Sequence, residues 1–339
     1  MVIKKIILVG VVLGWVGCTA VTPPPQITAL AGGIPKNCLD KTHIVLLGTG
    51  TPNTDPHRHG PSLAIVVKGK PYIVDCGPGL VRRAAAAYRA GVTALRVKDL
   101  KTAFITHLHS DHTVGYPDLI FSPWVMGRDE PLKVYGTPGT VAMTRHLLEA
   151  YREDIWVRLN GLEPATAEGY KVEAVDCRPG LIYEDQNVKV RAFAARHGAW
   201  KHAFGFYFVT PEVKICVSGD TTPYPEMVDN YRGCDILIHE VYCQKGFEAR
   251  PPKWQAYHAA SHTSAVELGK IAALLQPRLL VLVHQLLWSG SEEQLLAEIR
   301  QHFDGPILYG RDLTFIGLPP NSSSGDRETS NFLILSLPQ

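Results

Sequence analysis

The chain has 339 residues, of which 45% are hydrophobic and 19% are charged, with 34 basic against 32 acidic side chains. This is the composition of an ordinary globular protein, with enough apolar material for one large α/β domain or two small ones. The middle of the chain has no apolar run long enough to cross a membrane, which excludes a bundle of membrane-spanning helices.

The N-terminus differs from the rest of the chain. Lys4 and Lys5 precede an apolar run that ends at Gly17, and Cys18 follows. A short basic segment before about 7–15 apolar residues is typical of a secretory signal, so we predict a signal peptide over residues 1–17 and a tether over residues 18–42. Val16-Gly17-Cys18 resembles the lipobox of bacterial lipoproteins, although Trp15 stands at the usual leucine position.

Two fates of the N-terminus stay open. Lipidation of Cys18 would anchor the protein to a membrane, whereas cleavage after Ala29-Leu30-Ala31 would secrete it without lipid. In either case we expect an exported bacterial protein that is periplasmic or membrane-anchored. A homo-oligomer is compatible with the sequence.

The charge of the exported chain bears on its partners. The first seventeen residues hold two lysines and no acidic residue, so their removal leaves 32 basic and 32 acidic residues and a net charge of zero. Proteins that bind nucleic acids usually carry a basic excess or stripe, and this sequence has no Lys/Arg run. The balance therefore argues against a polynucleotide substrate.

Short apolar runs alternate with helical stretches from residue 43 onward. In chain order, we predict strands at 44–47, 63–67, 72–74 and 103–106, and then at 188–195, 204–209, 213–217, 235–238 and 279–283. Helices are predicted at 80–90, 139–152, 265–275 and 292–303. This order favours an α/β fold with sheets in the middle and helices outside. Residues 319–339 are predicted to be a tail, in which 332–337 could add a strand.

A cluster of potential metal ligands follows the strand at 103–106. It reads Thr106-His107-Leu108-His109-Ser110-Asp111-His112 and places three imidazoles and a carboxylate within six residues. Side chains alternate along an extended segment, so His107 and His109 point the same way, and the following turn lets Asp111 and His112 face a second point nearby. Zinc and iron accept such ligands, so the cluster predicts a metal site.

The H-x-H-x-D-H pattern of this cluster resembles the signature of the metallo-β-lactamase superfamily, and the wider sequence is similar to the branch of ribonuclease Z and the arylsulfatase-type enzymes. Further matches occur in the expected order at Leu46-Leu-Gly-Thr-Gly50, Val74-Asp75-Cys76-Gly77, His197, Ser218-Gly219-Asp220-Thr221 and Val283-His284. The resemblance covers about residues 43–318. It implies a single domain folded as a four-layer αββα sandwich.

The resemblance also implies a site for two divalent metal ions, zinc first, with manganese or iron as alternatives. His107, His109 and His197 would hold one ion. Asp111, His112 and His284 would hold the other, and Asp220 would bridge both. Asp75 would orient a ligand histidine. Catalytic roles fall to Asp111 and to a pair that also resembles the ribonuclease Z branch, His262 with Glu240, in which a charged His262 would protonate the leaving group.

Two sequence features, one of them a departure from ribonuclease Z, shape the functional hypothesis. In ribonuclease Z a long arm that grips transfer RNA lies between the third-motif histidine and the bridging aspartate, but here His197 and Asp220 are only 23 residues apart. The stretch from Tyr116 through Trp124 to Arg128 could form an aromatic wall beside the metals, as in the arylsulfatase-type enzymes, or simply be a packed helix.

We therefore expect an exported hydrolase in which hydroxide held by the metals attacks a small anionic ester, an aryl sulfate or a phosphodiester. A β-lactam or lactone ring hydrolase is the alternative on the same site. A ribonuclease Z-type transfer RNA endonuclease and a non-catalytic binding module rank below both, and nucleic acid is expected to be an unlikely partner.

Overall fold

Two β-sheets stack face to face in the computed structural model, which describes residues 28–29, 33–318 and 332–338. The predicted signal peptide, most of the predicted tether and residues 319–331 lie outside the described residues. Nine strands form the first sheet, in the order β1-β16-β15-β2-β3-β4-β5-β6-β7, and seven form the second, in the order β14-β13-β12-β11-β10-β9-β8. The strands described are β1 (Thr28–Ala29), β2 (His43–Gly48), β3 (Ser62–Val67), β4 (Lys70–Val74), β5 (Thr102–Ile105), β6 (Leu132–Gly136), β7 (Val172–Asp176), β8 (Gly180–Glu184), β9 (Lys189–Ala194), β10 (Phe204–Val209), β11 (Lys214–Val217), β12 (Ile236–Tyr242), β13 (Leu279–Leu286), β14 (Ile307–Tyr309), β15 (Thr314–Gly317) and β16 (Leu333–Ser336).

Helices cover the outer face of each sheet. Those described are α1 (Lys36–Leu39), α2 (Leu80–Arg89), α3 (Ser110–Thr113), α4 (Tyr116–Val125), α5 (Thr140–Ala150), α6 (Arg152–Asn160), α7 (Met227–Tyr231), α8 (Gln244–Glu248), α9 (Pro252–Ser261), α10 (Ala265–Leu275) and α11 (Glu292–Arg300). Within the described part of the chain, no helix is long and apolar enough to cross a membrane.

Three apolar clusters separate four layers. Alternate residues of β2 face opposite ways, so Val45 packs under α2 and α4, whereas Ile44 packs between the two sheets. A third cluster joins the outer face of the second sheet, including Leu280, to α10 and α11. The fold class predicted from the sequence, a single-domain αββα sandwich, is thereby confirmed.

The hairpin of β3 and β4 shows how local sequence sets the register. Lys68 and Gly69 both have positive φ, at 48° and 75°, which is the backbone of the tight turns that suit antiparallel strands. The turn aligns Leu63 with Val74 across the hairpin. The register therefore fixes where β4 ends, and Asp75 is the first residue after the strand.

Strand β7 and helix α9 were not predicted, because their sequences lack a periodic pattern of apolar residues. Strand β7 lies at the edge of its sheet and is largely exposed, so its sequence lacks a hydrophobic face. Helix α9 buries only His258 and Ser261, so it carries no apolar stripe, although Pro252 at its first turn suits a helix start. By contrast, β16 pairs antiparallel with β15, at the position where a C-terminal strand was considered.

The functional motifs collect at one edge of the sandwich. Strands β4 and β5 run parallel in the first sheet, and β11, β12 and β13 run parallel in the second. The carboxyl ends of parallel strands meet at the same edge, which is where ligands bind in open α/β sheets. This edge carries the segments after Val74, Ile105 and Val217.

Candidate metal centre

Four chain segments deliver the predicted ligands to one point, and a fifth brings Glu240 beside them. The segment after β5 supplies His107 to His112, the loop after β9 supplies His197, and the turn after β11 supplies Asp220. Glu240 lies within β12 and His284 within β13. The first and last of these residues, His107 and His284, are 177 positions apart in the chain, so the sheet order brings them together.

One group of four side chains has metal-ligand spacing. Nδ1 of His109 lies 3.0 Å from Nε2 of His107 and 3.0 Å from Nε2 of His197. A carboxylate oxygen of Asp220 completes this group, and its four ligand atoms lie within 4.8 Å of one another. His107, His197 and Asp220 are buried, whereas His109 is about half-buried. Three imidazoles and a carboxylate at this spacing can hold a zinc-like ion.

A second group of three lies beside the first. Oδ2 of Asp111 is 3.4 Å from Nε2 of His112 and 3.3 Å from Nε2 of His284. Asp220 Oδ2 stands between the groups, 3.5 Å from His112 Nε2 and 3.9 Å from His107 Nε2. The structure therefore places all seven sequence-predicted ligands together, with Asp220 facing both groups.

A bulge in β13 aims His284 at the site. Glu240 pairs with Val283 and Val241 pairs with Gln285, so His284 is the extra residue. Its φ of 46° is unusual for a side chain other than glycine, and its backbone N–H donates to Thr49 O at 3.1 Å. Strained backbone of this kind persists where surrounding structure enforces it, often at functional sites.

Asp75 contacts the ligand-bearing segment at two places, Thr106 and His112. Its Oδ2 lies 2.8 Å from His112 Nδ1, and its Oδ1 accepts from the backbone N–H of Thr106 at 2.8 Å. Asp75 is the first residue after β4 and has a positive φ of 60°. The carboxylate fixes the His112 ring so that Nε2 faces Asp111 and Asp220.

The charge balance of the site fits divalent cations. Burial lowers the pKa of His107 well below its usual range and that of His109 to about 4, so both rings are neutral, with a lone pair available for a metal. Burial lowers the pKa of His112 as well, but the carboxylates of Asp220 and Asp75 outweigh burial and raise it well above its usual range. Nε2 of His112 is buried and lacks a hydrogen-bond partner among the described residues. A divalent cation would satisfy this nitrogen and balance the carboxylates.

His262 lies next to the ligands with Glu240 behind it. Nδ1 of His262 is 3.3 Å from Glu240 Oε2, while Glu240 Oε1 accepts from the backbone N–H of Thr263 at 2.7 Å. Its ring centroid lies 5.1 Å from that of His197 and 5.5 Å from that of His284. Burial lowers the pKa of His262 to about 4, so at neutral pH the ring is uncharged and can donate only through an N–H of the neutral imidazole. The expected imidazolium is therefore not the form that burial favours.

The remaining histidines have structural or peripheral positions. His239 is buried, with Nδ1 2.6 Å from Glu240 O and Nε2 3.3 Å from Tyr231 OH. His57 and His202 are exposed, and His59 pairs with Asp312 at 3.0 Å. His258 is buried against Trp254 and Trp288 on the far side of His262.

The stretch considered as an aromatic wall is a packed helix. Tyr116 and Trp124 belong to the core beneath the first sheet, and Trp124 Nε1 donates to Thr166 O at 2.8 Å. Arg128 is fully buried and donates to backbone carbonyls, including Leu119 O at 3.0 Å. These side chains are buried in the core, so none of them lines the metal centre.

Sequence reasoning missed two contributors. Trp200 Nε1 donates to His109 Nε2 at 2.7 Å, from the loop after His197. Asp312, just after β14, accepts from the backbone N–H of Thr49 at 2.9 Å and from that of His59 at 2.7 Å, which ties down the loop beside the site. Neither residue lies in a motif, and only the position of Trp200 three residues after His197 offered a signal.

The αββα sandwich and this ligand cluster together define a metallo-β-lactamase-fold hydrolase, a metal-dependent class. The profile of the Beta-lactamase superfamily domain matches residues 71–285. The chain therefore belongs to the β-lactamase superfamily, on the branch that contains proteins named ribonuclease Z.

Curated relatives and solved structures of similar fold match most of the chain. Ribonuclease Z of Mycobacterium marinum is 31% identical over 80% of this chain and 96% of its own length. Ribonuclease Z of Mycobacterium avium is 32% identical over the same shares. Human tRNase Z, short form, has a similar fold with a TM-score of 0.61 at 21% identity, covering 82% of this chain and 99% of that protein. The metallo-beta-lactamase fold protein YhfI from Bacillus subtilis superposes with a TM-score of 0.63 at 14% identity, covering 82% of this chain and all of that protein.

These relatives correct two expectations. The ranking of a small anionic ester, an aryl sulfate or phosphodiester, above a ribonuclease Z-type reaction is wrong, because relatives named ribonuclease Z align over nearly their whole length. The expectation that nucleic acid is an unlikely partner is wrong for the same reason. Net charge was a poor guide because it averages over the whole chain, whereas binding of a polyanion depends on the charges near the site.

Proposed function

We propose that this chain is a metal-dependent endonuclease of the ribonuclease Z type, which hydrolyses a phosphodiester bond in RNA, with precursor transfer RNA as the substrate class. Relatives named ribonuclease Z are about 30% identical over about 80% of the chain. We also propose that the cluster holds two metal ions, zinc first, through His107, His109 and His197 on one side, Asp111, His112 and His284 on the other, and Asp220 between them.

The position of Asp220 is the observation that carries this proposal. Its Oδ2 lies 3.5 Å from His284 Nε2 on one side and 3.9 Å from His197 Nε2 on the other. Burial raises the pKa of Asp220, but His284 and His112 outweigh burial and hold it well below its usual range, so the side chain is an anion. One buried carboxylate that faces both groups suits a centre of two cations.

Two bound metals would supply Lewis-acid stabilisation of the phosphate oxygens and lower the pKa of a water molecule between them. The protein contributes the rest. In hydrolysis a water oxygen forms a bond to phosphorus, the ester P–O bond breaks, and the departing oxygen takes a proton. His262 lies beside the ligands and would donate an N–H to that oxygen, and Glu240 positions its ring.

A cleavage assay tests the proposal. The zinc-loaded protein is incubated with an end-labelled precursor transfer RNA and, as a control, with an unstructured RNA of the same 3′ sequence. We expect one endonucleolytic product from the precursor, which disappears in the Asp220→Ala variant. Random degradation of both RNAs, or no cleavage by a protein that retains its metals, would refute the transfer RNA assignment.

We propose separately that the protein is exported with residues 1–17 as its signal. The basic and apolar N-terminus and Cys18 support this proposal. Fractionation of cells that produce the full chain tests it, with detection of the protein in the periplasmic or membrane fraction as the expected result. Recovery only from the cytoplasm would contradict export without affecting the RNA assay.

A further inference from the structure

A cavity opens beside the first group of ligands. It has a volume of about 330 Å³ and is lined by His109, His197, Gly198, Ala199, Trp200, Tyr257 and Ser261. Ligand pockets typically span about 300–1,000 Å³, so this one has room for a single ring system. Because His109 and His197 form one wall, anything bound here sits next to the metal centre.

Two aromatic side chains face this cavity from different elements. Trp200 comes from the loop after β9 and is 36% exposed, whereas Tyr257 comes from α9 and is 42% exposed. The indole is held by its hydrogen bond to His109 Nε2, and the Tyr257 ring packs edge-on against Trp254 at 5.9 Å. Two large rings exposed to water lose the stabilisation that burial would provide. Such exposure is common where aromatic rings contact a ligand.

Small residues keep the space between these rings open. Gly198 has a positive φ of 53°, and a Cβ added there would come within 2.7 Å of Ser261 Oγ. Ala199 follows with only a methyl group. A larger side chain at either position would enter the space between the loop and α9.

The two chain segments that carry these rings contain basic but no acidic side chains, while the nearby carboxylates come from other elements. Asp111 and Asp220 of the ligand groups act on Tyr257, and Arg196 pairs with Glu226 at 3.7 Å. Residues 196–203 and 249–264 contain Arg196, Lys201, Arg250 and Lys253 but no aspartate or glutamate. Arg250 lies over the Trp254 ring with its guanidinium carbon 5.2 Å from the centroid, and Lys201 and Lys253 are exposed. Exposed aromatic rings among basic side chains are the combination with which proteins bind single-stranded nucleic acid, because the rings stack on bases and the cations neutralise phosphates.

We propose that this cavity is a nucleobase subsite, in which Trp200 and Tyr257 stack on the base of the nucleotide whose phosphate lies at the metal centre. This inference rests on the proposed function and extends it, since it assigns the substrate next to the scissile bond as unpaired RNA. Stacking is available to every base, so the subsite selects an unstacked nucleotide rather than a sequence.

Binding of a nucleotide that carries no cleavable diester tests the subsite independently of RNA cleavage. Calorimetric titration of the zinc-loaded protein compares adenosine 5′-monophosphate with ribose 5-phosphate, which has the same phosphate but no base. Stacking on an aromatic side chain contributes about 1–3 kcal/mol per base, so we expect adenosine monophosphate to bind roughly 5- to 150-fold more tightly. Trp200→Ala and Tyr257→Ala should each reduce this ratio, and Tyr257→Ala should leave ribose 5-phosphate binding unchanged. Because Trp200 also donates to His109, the zinc content of Trp200→Ala is measured alongside its affinities.

Two further variants make the comparison specific. Trp200→Phe keeps an aromatic face and loses the indole N–H, so it should retain most of the preference for the nucleotide. Trp156→Ala removes a tryptophan that is 64% exposed on α6 and should behave like the parent protein.

The outcomes separate this inference from the proposed function. Equal affinity for the two phosphates, or a preference that survives Trp200→Ala together with Tyr257→Ala, would overturn the subsite even if precursor RNA is cleaved. A preference that depends on both rings, in a protein that leaves precursor RNA intact, would support the subsite and refute the ribonuclease activity.

Discussion

Asp75 Oδ2 lies 2.8 Å from His112 Nδ1, and this contact fixes a candidate ligand histidine in helix α3. Because the other nitrogen of the same ring faces Asp111 and Asp220, loss of the contact should free the ring to rotate. Asp75→Asn keeps the shape of the side chain and removes its charge.

We expect Asp75→Asn to weaken zinc binding by about 10- to 100-fold, the usual effect of losing such an orienting partner. Competition with a fluorescent zinc chelator measures the affinity. Asp99→Asn is the matched control, because Asp99 ends a short 3-10 helix and its side chain is 40% exposed. Unchanged affinity in Asp75→Asn would show that His112 is held by other contacts.

Asp220→Ala removes the carboxylate between the two ligand groups, so zinc binding by both groups should weaken. We expect the parent domain to retain close to two zinc equivalents after gel filtration, and Asp220→Ala to retain fewer than one, as measured by elemental analysis. Zinc at about 100 times its Kd should stabilise the parent by about 2.7 kcal/mol against unfolding, and this gain should be largely absent from the variant. Two retained equivalents in Asp220→Ala would contradict a bridging position.

The His262–Glu240 pair predicts a contrast between two substitutions of Glu240. Burial, together with the neighbouring Asp220, raises the pKa of Glu240 well above its usual range, which favours a protonated carboxyl that donates to Nδ1 of His262. This network assigns the remaining hydrogen of the neutral ring to Nε2, where it can serve the departing oxygen. Glu240→Gln preserves both a donor and the acceptor for Thr263 N–H, so it should keep kcat for RNA within a few-fold, whereas Glu240→Ala should not.

His262→Ala should lower kcat for RNA by about 10²- to 10⁴-fold at unchanged metal content. The loss should be much smaller for bis(4-nitrophenyl) phosphate, because nitrophenolate leaves without a proton. His146→Ala, an exposed histidine on α5, serves as the control. Equal losses on both substrates would assign His262 a structural role.

A second, partly buried network predicts pH-dependent stability away from the metal centre. Burial raises the pKa of Asp185, but hydrogen bonds from Lys70 Nζ and Tyr72 OH, both at 2.7 Å, outweigh burial and lower it below its ordinary value of 3.8. A carboxyl whose pKa is lower in the folded than in the unfolded state stabilises the fold above about pH 4, and this contribution is lost as the pH falls further.

We therefore expect Asp185→Asn to cost about 1–3 kcal/mol in the free energy of unfolding at pH 7 and progressively less below pH 4. Urea denaturation of the parent and the variant at several pH values measures the difference. A gap that stays constant between pH 7 and pH 3 would mean that the charge of Asp185 does not contribute.

The N-terminal prediction is tested by mass spectrometry of the mature protein. We expect a mature N-terminus at Cys18 with a lipid mass, and the Cys18→Ser variant should lose the lipid and membrane association together. An unmodified N-terminus at Gly32 would indicate secretion without a lipid anchor.

The sequence by itself determined the candidate ligand cluster of His107 to His112, because all four side chains lie within six residues of one segment. Their closeness in space follows from their closeness in the chain. The sequence also determined the elements with a clear apolar rhythm, such as α10, whose predicted bounds of 265–275 match the structure, and β10 at 204–209. A periodic hydrophobic face is a local property, and burial of that face is what the fold requires.

Only the tertiary structure decided what depends on contacts between distant segments. His284 reaches the site because β13 bulges where it pairs with β12, and the sequence of β13 alone predicts a strand that ends at Val283. The same holds for Trp124, which the helix buries in the core rather than at the site. Trp200 and Tyr257, 57 residues apart in the chain, line one cavity because the β9–β10 loop and α9 meet beside His197. Such contacts arise from sheet order and packing, which no local pattern encodes.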